Sequence, residues 1–243
     1  MKKLLVNIGK KSKIAFSISL NSDKKNKVLK DYFQLIEKNK KLILRENLKD
    51  IKNAYRKKLK ENLVNRLYLN EKKILDIINS IKKIIKLKDP TNVILEKWKR
   101  PNGLNISKIS IPIGVVAVIY ESRPNVTSDV ASLCFKSGNP VILKGGSESF
   151  YSNYILSNLF RKSLRKNKVD ENFVQFINIK KRSVVDILLT KMNKFIDVII
   201  PRGGKSLVKK VQSLSTIPTI GHLEGVCHSY VDKDANPKFA LNI

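Results

Sequence analysis

The sequence has few cysteines and no long apolar run. Its 243 residues include only Cys134 and Cys227, too few for a disulfide framework and without other ligands at metal-binding spacing. No stretch of about 18 apolar residues is present, so we expect no transmembrane helix. Lys10, Lys11 and Lys13 interrupt the N-terminal apolar residues, which argues against a cleaved signal peptide. We therefore expect a protein of a reducing, cytoplasmic compartment.

Acidic residues are also scarce. Asp and Glu number 20 against 49 Lys and Arg, which gives a net charge of +29 and raises the possibility of a polyanion-binding protein. The excess is mostly lysine and accompanies abundant Asn and Ile, three residues that an A/T-rich nucleotide bias enriches together. The lysines are spread over predicted helices and are not grouped with aromatic residues, as a nucleic-acid stacking surface requires. Composition therefore favours a nucleotide bias, with nucleic-acid binding that is non-specific if it occurs.

The chain divides near residue 100. Apolar residues at spacings of three and four predict helices through residues 1–90. A Pro-Asn-Gly turn at 101–103, flanked by two extended runs, predicts a β-hairpin. An exposed hairpin also offers an edge for pairing between subunits. We assign residues 1–100 to an N-terminal helical region that includes the start of this hairpin, and residues 101–243 to a second domain.

Strands and helices alternate from residue 113 onward. Residues 114–120 form a continuous apolar run, which is typical of a buried parallel strand. Helices of ten or more residues separate this strand from the later ones. The other predicted strands cover residues 140–143, 173–177, 197–200, 219–220 and 229–231. This order predicts an α/β fold with a Rossmann-like parallel sheet, helices on both faces, and chemistry at the carboxyl ends of the strands.

Three turns at those carboxyl ends carry cations, and two of them add a glycine pair. They cover residues 121–125, 144–147 and 201–206. Glycine lets backbone N–H groups approach an anion, and a helix N-terminus favours negative charge. Three such turns on one edge predict a phosphate-binding site, although neither the G-x-G-x-x-G nor the P-loop spacing is present.

Several segments carry a resemblance to a known family. They are Ile111–Val126 (IPIGVVAVIYESRPNV), Ser137–Asn139 (SGN), Ile142–Gly146 (ILKGG), Ile200–Gly204 (IPRGG) and Gly221–His228 (GHLEGVCH). In this order they resemble the glutamate-5-semialdehyde dehydrogenases, or γ-glutamyl phosphate reductases, of the aldehyde dehydrogenase superfamily. The resemblance implies an aldehyde-dehydrogenase-type cofactor domain and NADPH-dependent reduction of L-glutamyl 5-phosphate in proline biosynthesis. It also implies a homo-oligomeric full-length enzyme.

The resemblance assigns roles at the first two turns. Asn125 matches the asparagine that donates to the reaction's oxyanion, although it is equally suited to cap a helix. Lys144, in the turn with Gly145 and Gly146, matches the lysine that contacts the adenosine ribose, while the alternative is a solvated lysine. NAD-preferring members often have Glu where Ser147 stands here. Ser147 with Lys144 can accept a 2′-phosphate, which favours NADP.

The third turn completes the predicted site. Gly203 and Gly204 match the turn that meets the cofactor's pyrophosphate and nicotinamide side. Arg202 and Arg123 are candidates for binding the substrate carboxylate or phosphate, or are ordinary surface arginines.

The two histidines and the two cysteines receive no catalytic assignment. His222 matches the place of the general base in hydrolysing relatives but is better explained as a turn residue, and His228 is expected to begin a strand. Cys134 is expected in the core, and Cys227 should point away from His228 on a strand. The family's nucleophilic cysteine follows this region, so we expect a partial, inactive chain that lacks the catalytic domain. An inactive remnant that binds polyanions is the alternative.

Overall fold

The N-terminal part is helical, as predicted. The computed structural model describes residues 1–221 and 227–241. Asparagines begin two of its helices: the side chains of Asn21 and Asn70 accept the backbone N–H groups of Lys24 and Lys73 at 2.9 and 2.8 Å. The five helices are α1 (Lys2–Phe16), α2 (Ser22–Lys38), α3 (Lys40–Arg56), α4 (Glu61–Leu67) and α5 (Glu71–Lys86). Within the described residues no helix is both long and apolar enough to cross a bilayer.

The predicted hairpin is confirmed. Strands β1 (Ile94–Lys99) and β2 (Asn105–Ile109) pair antiparallel, and Gly103 takes a φ of +86° in the turn between them. That left-handed conformation explains the glycine. The side chains of both strands are largely exposed, and no other strand of the described chain pairs with the hairpin.

The second half forms a four-stranded parallel sheet, which confirms the predicted α/β fold. Its order is β5-β4-β3-β6, and a single parallel bridge between Ile199 and Thr219 extends the β6 edge. The strands are β3 (Val116–Tyr120), β4 (Val141–Gly145), β5 (Val174–Phe176) and β6 (Val198–Arg202). The helices are α6 (Pro124–Lys136), α7 (Phe150–Lys166), α8 (Ser183–Lys191), α9 (Lys205–Leu214) and α10 (Pro237–Ala240). The predicted strand at 229–231 is wrong, because these residues form no regular structure.

Both faces of the sheet are buried, and the N-terminal helices cover part of each. Val116, Val118 and Tyr120 of β3 face a core shared with α2, α5, α6 and α7. Ala117 and Ile119, on the opposite face, pack with residues of α1, α8 and α9. This alternation follows from the two-residue period of a strand. The helical layer is therefore packed directly against the sheet that carries the predicted site.

A buried ion pair connects α2 to the segment before the hairpin. The Lys25 amine is only 2% exposed and lies 3.0 Å from a carboxylate oxygen of Asp89. Thr91 donates to the same carboxylate through its N–H and its hydroxyl. Burial opposes the ionisation of Asp89, but the hydrogen bonds from Thr91 and Lys25 outweigh it and hold the pKa of Asp89 below its usual 3.8.

Gly114 precedes β3 and admits a close contact. Its φ is +127°, and a Cβ there would lie 2.6 Å from Cγ of Asp197. The Asp197 carboxylate accepts the N–H of Val115 and the amine of Lys13, each at 2.7 Å. These bonds fasten α1 to the start of β3, and they require a residue without a side chain at position 114.

Candidate anion-binding site at the sheet edge

The three predicted turns lie side by side. In the parallel register, Tyr120 at the end of β3 lies opposite Gly145 on one side and Arg202 on the other. The N–H of Glu121 donates to the carbonyl of Arg202 at 3.1 Å. A Cβ at Gly146 would lie 3.4 Å from the backbone nitrogen of Ser122, so the β3 and β4 turns are also in contact. The edge therefore gathers all three turns.

A carboxylate of the chain lies against the glycine pair at the start of α9. The Oε2 atom of Glu121 accepts the N–H of Gly204, the N-cap residue, at 2.8 Å. A Cβ at Gly203 would lie 2.6 Å from Cδ of Glu121, so the close approach requires glycine. A helix N-terminus stabilises negative charge. The turn thus accommodates an anion, and Glu121 supplies one.

Three arginines border this turn in an open cleft of about 320 Å³, which we call the strand-end cleft. Arg123 and Arg202 were predicted from the sequence, and Arg66 of α4 joins them from the helical layer. All three side chains are exposed, and none forms an ion pair within the described residues. Uncompensated guanidinium groups beside a helix N-terminus make the cleft a binding place for phosphate or carboxylate.

Sequence reasoning missed Arg66. It lies on a helix of only seven residues, in the half of the chain that showed no chemical motif. Helix α4 packs against α3, and this placement brings Arg66 to the cleft that Arg123 and Arg202 line. No local signal in the sequence identifies it.

Asn125 does not cap a helix. Helix α6 begins at Pro124, with Arg123 in the N-cap position and no side-chain cap. The amide nitrogen of Asn125 instead donates to Oδ2 of Asp129 at 3.2 Å. The N-cap interpretation is therefore wrong. Asn125 lines a second cavity of about 370 Å³, which adjoins the strand-end cleft because Arg66 lines both.

Lys144 is buried, so its interpretation as a solvated lysine is also wrong. Its side chain is 7% exposed, and the amine donates to the carbonyl of Gly145 at 2.8 Å. Burial lowers the pKa of Lys144, and the charge of Glu148 partly opposes this. The hydroxyl of Ser147 hydrogen-bonds Glu148 at 2.9 Å. An acidic residue therefore lies beside the two side chains predicted to favour a 2′-phosphate.

Packing requires the first glycine of the β4 turn. A Cβ at Gly145 would overlap the amide nitrogen of the buried Asn153. A Cβ at Gly146 would lie 2.7 Å from Oε2 of Glu148, the movable end of a side chain, so packing does not require the second glycine. Neither glycine has a positive φ.

The described cysteines lie in different surroundings. Burial raises the pKa of the Cys134 thiol to about 12, so at neutral pH it is protonated and is not a nucleophile. Cys227 is exposed. It lies in no strand, and neither does His228, so the predicted opposite-face geometry has no basis. His222 lies outside the described residues. Within 1–221 and 227–241, no His, Cys, Asp and Glu cluster is suited to hold a metal ion.

Comparison with known proteins identifies relatives of the whole chain. Gamma-glutamyl phosphate reductase of Nautilia profundicola is 43% identical over all 243 residues. The crystal structure of the Thermotoga maritima gamma-glutamyl phosphate reductase superimposes with a TM-score of 0.86 and 35% identity, over 88% of this chain and 52% of that one. A probable aldehyde dehydrogenase of Listeria monocytogenes matches with a TM-score of 0.67 over 90% of this chain and 46% of its own. At 14% identity it shows the fold alone. No family model matches.

The Nautilia match covers this chain completely and the relative in part. The chain spans 58% of the Nautilia protein. The names of the relatives favour the reductase interpretation over polyanion binding. Sequence and fold together identify the chain as a relative of the γ-glutamyl phosphate reductases, with the fold of the aldehyde dehydrogenases.

Proposed function

We propose that this chain forms the NADPH-binding part of a γ-glutamyl phosphate reductase, which reduces L-glutamyl 5-phosphate to L-glutamate 5-semialdehyde and releases phosphate. One observation carries the proposal: a carboxylate oxygen of Glu121 lies 2.8 Å from the backbone nitrogen of Gly204, in a cleft with three arginines that form no ion pair within the described part of the chain. This turn therefore fits a phosphate group by its donors, its charge and its lack of side chains. The relatives' names supply the reaction.

Different turns at the sheet edge bind different parts of the cofactor. Gly203 and Gly204 hold its pyrophosphate against the start of α9 once Glu121 turns away. Lys144 and Ser147, at the end of the neighbouring strand, lie toward the adenosine side and bind the 2′-phosphate. NADPH supplies a hydride when bound.

The substrate end of the site lies at the start of α6. Arg123 and Arg202 offer guanidinium groups to the phosphate that leaves. The Asn125 amide, which now bonds to Asp129, is the proposed donor to the oxyanion that develops on the acyl carbon. The thiolate that displaces phosphate does not come from Cys134, because this residue is half-buried in α6 against the core and burial raises the pKa of its thiol.

The exposed hairpin supports a further part of the proposal, assembly with a second copy of the chain. Ile94, Trp98 and Ile109 expose 43–54% of their surface on a two-stranded sheet that no strand of the described chain covers. Exposed apolar strands favour pairing with another chain.

The experiment is a fluorescence titration of the purified chain with NADPH and NADH. We expect NADPH to bind more tightly. Ser147→Glu places a second carboxylate beside Glu148 and should weaken NADPH binding about fivefold, an effect of about 1 kcal/mol for a like charge at the surface. Ser147→Gln is the matched control for size and should change the affinity little. Equal affinities for the two cofactors in the unaltered chain would contradict the NADPH assignment.

A further inference from the structure

The second cavity carries charges of both signs. It lies between the α4–α5 connection, α5 and α6, with a volume of about 370 Å³, and we call it the α5–α6 cavity. Its charged lining residues are Arg66, Lys73, Asp76 and Asp129. Neither Arg66 nor Asp76 has an ion-pair partner among the residues that the structure describes. The Lys73 amine already donates to the carbonyls of Asn65 and Tyr68, which leaves the Arg66 guanidinium and the two carboxylates for a ligand that itself carries both charges.

The backbone beside Arg66 is held without using the guanidinium. The buried Asn47 side chain donates to the carbonyl of Leu67 at 2.8 Å and accepts the N–H of Leu69 at 2.9 Å. The Lys73 amine donates to the carbonyl of Tyr68 at 2.7 Å. These bonds fix the connection that follows α4. The backbone near Arg66 is therefore fixed, while its guanidinium remains available to bind a carboxylate through two hydrogen bonds.

Asp129 is positioned by two neutral partners. Its Oδ1 atom accepts the hydroxyl of Ser80 at 2.8 Å, and its Oδ2 atom accepts the amide of Asn125 at 3.2 Å. Neither partner neutralises the charge. Each carboxylate oxygen accepts more than one hydrogen bond, so Asp129 keeps acceptor capacity for an ammonium group.

We propose that the α5–α6 cavity binds the α-amino-acid end of the substrate. Arg66 pairs with the α-carboxylate, and Asp129, with Asp76 nearby, binds the α-ammonium. This assignment rests on the proposed function, since it concerns the end of glutamyl phosphate that does not react. The charged residues of this cavity balance, whereas the strand-end cleft has three arginines against Glu121, so the phosphate end is directed to that cleft.

The test uses three stable phosphonates and calorimetric titration of the 243-residue chain. The first is L-2-amino-5-phosphonopentanoate, which has both head-group charges. The second, 5-phosphonopentanoate, lacks the ammonium. The third, 4-aminobutylphosphonate, lacks the carboxylate. We expect the first ligand to bind most tightly to the unaltered chain, because it alone satisfies both charges of the cavity.

Two substitutions should act on different ligands. Arg66→Ala should weaken binding of the complete ligand about tenfold and that of 4-aminobutylphosphonate much less, since that ligand has no carboxylate and Arg123 and Arg202 remain for its phosphonate. Asp129→Asn should weaken the complete ligand and not 5-phosphonopentanoate. Arg56→Ala removes another exposed arginine, at the end of α3 and outside both cavities, and should change none of the three affinities.

Two results would overturn the assignment. One is an equal loss for all three ligands in Arg66→Ala at an unchanged melting temperature, which would indicate general electrostatic attraction. The other is an unaltered chain that does not distinguish the ligands or does not bind them. NADPH titration of the same samples separates this failure from that of the proposed function. Retained preference for NADPH over NADH with no head-group discrimination would reject the α5–α6 cavity assignment alone.

Discussion

Glu121→Ala should make the chain less stable and NADPH binding tighter. The Glu121 carboxylate accepts the N–H of Gly204 at 2.8 Å, at the start of α9. An acidic side chain at an exposed helix N-terminus contributes about 0.3–1 kcal/mol. Its loss should lower the melting temperature by about 1–3 °C for a chain of this size. The same interaction is one that a cofactor phosphate must displace.

Removing the competitor should therefore help the cofactor by the same amount. In the unaltered chain, NADPH must displace the Glu121 carboxylate, which costs about 0.3–1 kcal/mol of binding free energy. Without that cost, the dissociation constant for NADPH should be about two- to fivefold lower. Removal of like-charge repulsion adds to this. The assay is NADPH fluorescence titration at constant ionic strength, together with thermal denaturation of the free chain.

Glu71→Ala is the matched control. Glu71 lies in the first turn of α5 and lines neither cavity, so its loss should lower the melting temperature to a similar degree and leave NADPH affinity unchanged. Weaker NADPH binding by Glu121→Ala would refute the reasoning, because it would mean that the carboxylate holds the cofactor instead of occupying its place.

Three further outcomes follow from the described contacts. Gly114→Ala should lower the free energy of unfolding by about 3–5 kcal/mol and the melting temperature by about 10 °C, because it strains the backbone and displaces the Asp197 carboxylate from its hydrogen bonds. A decrease in melting temperature of less than about 2 °C would contradict this. With a thiol reagent, Cys227 should react quickly in the folded chain and Cys134 only after unfolding, and fast labelling that survives Cys227→Ser would show an accessible Cys134. Asp89 has a lowered pKa, so its contribution to stability is complete above its unfolded pKa and is lost on acidification. Asp89→Asn should therefore destabilise the chain by about 3 kcal/mol at pH 7 and by progressively less below about pH 4, and a constant difference in denaturant melts across this range would reject the argument.

The parallel sheet could be predicted because its signals are local. The apolar run at 114–120 has no polar alternation, and turns with glycine or proline follow several segments, at 101–103, 138–140, 145–146 and 201–204. The strand at 229–231 failed because three residues carry too little pattern to distinguish a strand from an extended loop.

Sequence reasoning could identify residues of the candidate site only where they lie together in a single turn at the end of one strand. Gly203 and Gly204 were found as a turn at the start of a helix. The occupation of that turn by Glu121 was not predicted, because Glu121 and Gly204 are 83 residues apart along the chain and meet only through the pairing of two strands. Arg66 and the burial of Lys144 depend in the same way on tertiary packing, which propensity does not encode.

The most direct test of the central claim is to map NADPH binding by amide NMR shifts on the isotopically labelled chain. The account predicts that the largest saturable shifts occur at Gly203 and Gly204, with further shifts at Gly145, Gly146 and Ser147, and that NADH produces smaller ones at the β4 turn. Shifts spread over the lysine-rich faces of α2 and α5 that disappear with added salt, without saturation at the glycine turn, would contradict it and indicate non-specific anion binding.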